Sequence, residues 1–100
     1  MILKQFKYHS VPDVVSLSNC KQGLLVRRGP YWHYGGQDSD DTGTPTCGEV
    51  THFKQTISEQ SQYWATVKWA NGYSDKYRVG PYYYDLIVAD ENYKSIMDLA

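Results

Sequence analysis

The residues of this 100-residue chain that could ligate a metal or act in catalysis are His9, His33, His52, Cys20 and Cys47. Their spacing supports neither chemistry. A zinc site needs ligands in close pairs of the Cys-x-x-Cys kind, so that one turn of chain presents two donors to one ion. Cys20 and Cys47 stand far apart, and the histidines lie in unrelated contexts. No nucleophile sits in a recognised elbow motif. Asp38, Asp40 and Asp41 lack the spaced glycine and terminal glutamate of a calcium loop, and read as a solvated acidic turn. The sequence therefore assigns no catalytic residue, metal or cofactor.

What the chain has in excess is aromatic surface: ten Tyr and three Trp beside two Phe. Tyr and Trp carry an apolar body and a polar tip, which suits rings half buried and half offered to a partner. Tyr31, Trp32 and Tyr34 fall in a glycine-rich stretch, and Tyr82 and Tyr83 belong to Gly80-Pro81-Tyr82-Tyr83-Tyr84. Three consecutive tyrosines cannot all point inward. These five rings read as the lining of a peptide-binding groove, with Asp40 and Asp41 biasing it toward basic peptides. The same rings could instead cage a methylated lysine or form a platform for a glycan.

Strand patterns are what must position them. In residues 62–69 Tyr63, Ala65, Val67 and Trp69 alternate onto one face, and Thr66 and Lys68 fall on the other. Asn71-Gly72 then predicts a tight hairpin turn, both residues tolerating positive φ, into a return strand over residues 73–79. Further strands are expected over 24–28, 46–53 and 85–89, with Val26, Val67, Trp69 and Tyr77 in the core. Residues 29–45 form a long loop whose aromatics favour an ordered, packed path. Gly29 and Gly80 mark sharp turns after strands. Asp38 and Arg78 are expected to pair and pin the loop, with Asp85 as the other candidate partner of Arg78.

Residues 54–61 read as a polar hairpin tip. Tyr93, Ile96, Met97 and Leu99 have the spacing of about two helical turns. The start of the chain is too apolar to float free. Three regions follow: an extension over 1–22 that packs on the domain or mediates self-association through residues 1–20, the domain itself over 23–89, and a tail or short helix over 90–100.

A formal net charge of −1 argues against a nucleic-acid or anionic-membrane binder. The charge is unevenly spread: Lys4, Lys7, Lys21, Arg27 and Arg28 precede the acidic Asp38, Asp40, Asp41 and Glu49, and a basic strand facing an acidic loop would satisfy that split internally. The first residues form no apolar run long enough for a signal peptide or a membrane span, so a cytoplasmic location is expected. A disulfide between Cys20 and Cys47 and a pair of reduced thiols are both open.

Two separated blocks carry a family resemblance. The first is Arg28-Gly29-Pro30-Tyr31-Trp32-His33-Tyr34-Gly35-Gly36-Gln37-Asp38, with Gly48-Glu49-Val50 after it; the second is Val67-Lys68-Trp69-Ala70-Asn71-Gly72, then Tyr77-Arg78-Val79-Gly80 and Tyr84-Asp85-Leu86. Over about residues 23–88 the chain resembles the Mind bomb/HERC domain. Its departures are in loops: Tyr31 and Ala70 stand where the family often has Asp, and Ser39-Asp40 where it has a Gly pair. The resemblance implies an all-β fold, a small SH3-like barrel, and a non-catalytic protein-interaction role in substrate recognition by ubiquitin ligases. In Mind bomb proteins such domains engage the cytoplasmic tails of Notch ligands.

Overall fold

The structure is a computed structural model that describes residues 13–54 and 62–89. Five antiparallel strands form one sheet: β1 (Leu25–Arg28), β2 (Gly48–His52), β3 (Trp64–Trp69), β4 (Ser74–Arg78) and β5 (Leu86–Val88), in the order β4-β3-β2-β1-β5. The all-β expectation holds, with no helix among the described residues. The proposed hairpin tip lies largely outside those residues, as do residues 1–12 and the expected C-terminal turns.

β3 shows why the alternation is informative. Ala65, Val67 and Trp69 are buried while Trp64 and Lys68 stand exposed on the opposite face. The turn into β4 is closed by Gly72 at φ 92°, whereas Asn71 keeps a negative φ. Asn71 contributes through its side chain instead: its Oδ1 accepts from the Tyr73 N–H at 2.7 Å, and its Nδ2 donates to the carbonyls of Gln37 and Ser39. One residue thus shapes the hairpin and moors the long loop. Tyr73, the first residue of the expected return strand, lies before the strand proper and is exposed.

Val15, Val26, Val50, Val67, Trp69, Tyr77, Val79 and Leu86 form the core. Burial of an aliphatic side chain of this size is worth roughly 1.5–3 kcal/mol. The two large rings satisfy each other's polar tips. Trp69 Nε1 donates to the Tyr77 hydroxyl at 2.8 Å, and that hydroxyl donates to Gln37 Oε1 at 2.7 Å. Cys20 is buried in the same core, which pushes its thiol up to about 11, and no disulfide joins it to Cys47.

The sheet is not closed. Its two edge strands touch at one end, through the Val79–Tyr84 bridge and the bond from the Asp85 N–H to the Arg78 carbonyl. The β5 edge is covered and the β4 edge partly so, which disfavours pairing with a neighbouring strand. On β5, Val14 bridges Ile87, Val15 donates to Leu86, and Val88 donates to Asp13. The start of the chain therefore packs as an added extended segment where it is described. On β4, the outward N–H groups of Lys76 and Arg78 are taken by the carboxylates of Asp75 and Asp85, each at 2.7 Å.

Two glycines fix the path beside the long loop, for different reasons. Gly80 has φ 97°, and a Cβ there would lie 2.6 Å from the Tyr84 ring. Gly29 has no positive φ. It is required because a Cβ would meet the backbone of Leu86 at 2.8 Å, so the chain leaves β1 by passing close against β5 rather than by a left-handed turn.

Candidate functional site

Two buried carboxylates hold the surface together. Asp85 is fully buried and accepts the Tyr34 hydroxyl at 2.6 Å, the Arg78 backbone N–H, and the Arg78 guanidinium through Nε and Nη2. Asp38, also fully buried, is gripped by Arg28 through Nε at 2.8 Å and Nη2 at 2.6 Å. The expected Asp38–Arg78 pair is thus replaced by two pairs, Arg28–Asp38 and Arg78–Asp85. The reason is local reach. Arg28 ends the strand that launches the loop carrying Asp38, and the tight turn after Gly80 returns Asp85 alongside Arg78. A basic strand does face the acidic loop, with Arg28 as its contact.

On that frame Trp32 is a plug. It stacks on Tyr77 at 5.3 Å and 15°, meets Trp69 edge-on at 5.5 Å, and donates Nε1 to the Gly35 carbonyl. Tyr34 packs edge-on against Tyr77 at 4.9 Å and is half buried, its hydroxyl spent on Asp85. The outer rings are different. Tyr31, Tyr82 and Tyr83 are 50%, 58% and 48% exposed, so at least two of the three consecutive tyrosines face outward. Tyr31 and Tyr83 meet edge to face at 5.6 Å, joining the long loop to the 80–84 turn. The Arg78 guanidinium lies 4.4 Å over the Tyr83 ring, and its Nη2 donates to His33 Nδ1 at 3.2 Å.

An open hollow of about 580 Å³ adjoins these groups, lined by His33, Tyr34, Trp64, Asp75, Lys76 and Arg78. Of the expected binding residues it contains Tyr34 and borders Tyr83 through Arg78. Asp40 and Asp41 are elsewhere. The loop beside them is moored by Asn71 at the β3–β4 turn, the opposite end of β4 from Gly80. Asp40 is moreover occupied: its Oδ1 accepts from the Thr42 hydroxyl and from the Thr42 and Thr44 N–H groups, which lowers its pKa. Trp64 and Lys76 were not singled out from the sequence, and His33 was weighed only as a metal or catalytic candidate. For Trp64 the signal existed, because the alternation that buries Ala65 and Val67 turns its 47%-exposed ring outward.

The profile of the Mib_herc2 family matches residues 23–90. The chain belongs to the Mib_herc2 family. Among curated proteins, this Mib_herc2 domain is 35% identical over 81 residues to the E3 ubiquitin-protein ligase MIB2 of Gallus gallus, a match covering 72% of the chain and 8% of that relative. The chain therefore corresponds to a small part of the relative's length. No solved structure matches it. Among the described residues of the Mib_herc2 domain, no three His, Cys, Asp or Glu side chains are grouped to hold a metal, and no helix is long and apolar enough to cross a membrane.

Two ring hydroxyls give the domain an alkaline limit. Burial, then the bond to Asp85, pushes Tyr34 up to about 12, and burial pushes Tyr77 up to about 12 as well. The ordinary value for both is 10.0. Folding thus favours the neutral phenols: this stabilisation is complete below the unfolded value and is lost as pH rises from there through the folded value. Titrating tyrosinate absorbance alongside near-ultraviolet circular dichroism should show a late-ionising group of tyrosines whose ionisation coincides with loss of tertiary signal. Ionisation of all tyrosines near their ordinary value with the fold intact would contradict this.

Proposed function

We propose that this chain is a non-catalytic protein-interaction domain of a ubiquitin ligase, acting in the cytoplasm to capture a peptide segment of the ligase's partner. The observation that carries the reading is the set of outward rings, Tyr31 against Tyr83 with Tyr82 next to it in the chain, and Trp64 in the open hollow that Arg78 joins to Tyr83. Flat rings of two rotatable bonds give large apolar contact at low entropic cost. Because carboxylates occupy the outward N–H groups of Lys76 and Arg78, a partner strand added to β4 would have to displace them, which favours capture by side chains over strand addition. The contact between β4 and β5 at one end is consistent with an SH3-type barrel left open along the rest of that seam. Self-association through residues 1–20 is compatible with this reading, since the ring surface lies on other elements.

A modified-lysine cage has less support. The cation–π position over Tyr83 is already filled by Arg78, so a second cation would meet its repulsion.

The test compares the wild-type chain with the Tyr82→Ala/Tyr83→Ala variant in affinity capture from cell extract, with bound proteins identified by mass spectrometry. Both rings are exposed, so the melting temperature should stay within about 3 °C. Specific partners should drop by tenfold or more, roughly the effect of losing an aromatic anchor. Undiminished capture by a folded variant would place the binding surface elsewhere.

A further inference from the structure

From the charges around Trp64, we infer that the captured segment is acidic and lies across the outer face of β4, β3 and β2. This rests on the peptide-recognition reading and adds the chemistry of the ligand. The hollow at the β4 edge does not stand alone. A second open hollow of about 390 Å³ continues from it over β3 to β2, taking in His52, Phe53 and Lys54 and sharing Trp64 and Lys76 with the first. Pleating places these shared groups together: Trp64 pairs with Arg78 and Thr66 with Lys76, so their side chains leave the sheet on one side.

The charge of this trough is one-sided. Lys54 and Lys76 are exposed and form no ion pair among the described residues. Among the described residues, the second hollow is lined by no Asp or Glu. Among the described residues the first has one carboxylate, Asp75, which is turned to the Lys76 N–H and the Tyr73 hydroxyl, while Asp85 is buried against Arg78. Two ammonium groups beside an exposed indole, unpaired among the described residues, complement carboxylates flanking an apolar or aromatic side chain. Crossing from β4 to β2 covers two inter-strand spacings, about 10 Å, which three extended residues span. The expected occupant is therefore a segment with one ring or aliphatic group on Trp64 and acidic residues on either side. Asp40 and Asp41, which on their own would favour a basic peptide, are outside the trough. A phosphodiester chain also carries negative charge, but the formal net charge of −1 on the whole chain disfavours it.

The experiment selects a phage-displayed library of random peptides on the intact chain at low salt. Affinities of the winners are then measured for the wild type, Lys54→Glu/Lys76→Glu and Tyr82→Ala/Tyr83→Ala, with melting curves for all three and a labelled oligothymidine as competitor. Winners should be enriched in Asp and Glu around an aromatic residue. They should lose about tenfold in affinity to the lysine variant and weaken several-fold as salt is raised, since exposed charges are screened. Neutral or basic winners that need Tyr82 and Tyr83 but ignore Lys54 and Lys76 would overturn the acidic inference and leave peptide recognition standing. Failure to select any peptide would overturn both, and tighter binding of the oligonucleotide than of any peptide would reassign the trough to nucleic acid.

Discussion

Replacing Asp85 by Asn is expected to remove about 3–5 kcal/mol of stability, the usual cost of breaking a buried ion pair by deleting one charge. A domain of this size has a total of about 5–15 kcal/mol, so the variant would be marginal. Asp85 is wholly buried and serves several donors at once: the Tyr34 hydroxyl, the Arg78 backbone N–H and the Arg78 guanidinium. Asn offers one acceptor oxygen and an amide that would confront donors where an acceptor is needed. The damage reaches outward, because Arg78 supports both Tyr83 and His33. Urea denaturation followed by Trp fluorescence measures the loss. A change below about 1 kcal/mol, the net worth of one ordinary hydrogen bond, would contradict the assigned role. Tyr34→Phe removes only one of the bonds and should cost about that much.

Tyr77→Ala is the second large effect, expected at about 3–5 kcal/mol for an aromatic deleted from a packed core. The ring is fully buried and touches Trp32, Tyr34 and Trp69. Removing it takes away the face on which Trp32 stacks, so the long loop should lose hydrogen-exchange protection together with the core. Tyr77→Phe keeps the ring and strands the Trp69 Nε1 proton and the Gln37 amide oxygen, a cost of about 1–3 kcal/mol. An Ala variant whose 29–45 loop exchanges no faster than the wild type would show that Trp32 is held independently of Tyr77.

Period-two alternation made β3 and the inward Trp69 and Tyr77 readable from the sequence, because one buried face leaves little freedom of register. The separated motif blocks likewise pointed to the family. Contacts between distant loops were harder. Nothing in the spacing distinguishes Arg28 from Arg78 as the partner of Asp38, since the choice depends on the return of the chain after Gly80. The role of Gly29 was also hidden, for its constraint comes from the backbone of Leu86 and not from its own φ. Asp40 and Asp41 looked like ligand-facing charges, yet hydrogen bonds within the turn engage the first of them. Trp64 was legible by the same alternation that found the core, read for its outward face.

On the proposed function, the surface running from Tyr31 and Tyr83 to Trp64 receives the peptide. Titrating the isotope-labelled chain with a peptide that it has selected, and following amide and indole N–H chemical shifts, tests this most directly. The largest shifts should fall on the Trp64 indole and on the amides of Tyr31, Lys76, Arg78 and Tyr83. Shifts centred on the hollow around Glu49, Lys68 and Ala70, with the Trp64 indole unmoved, would contradict it.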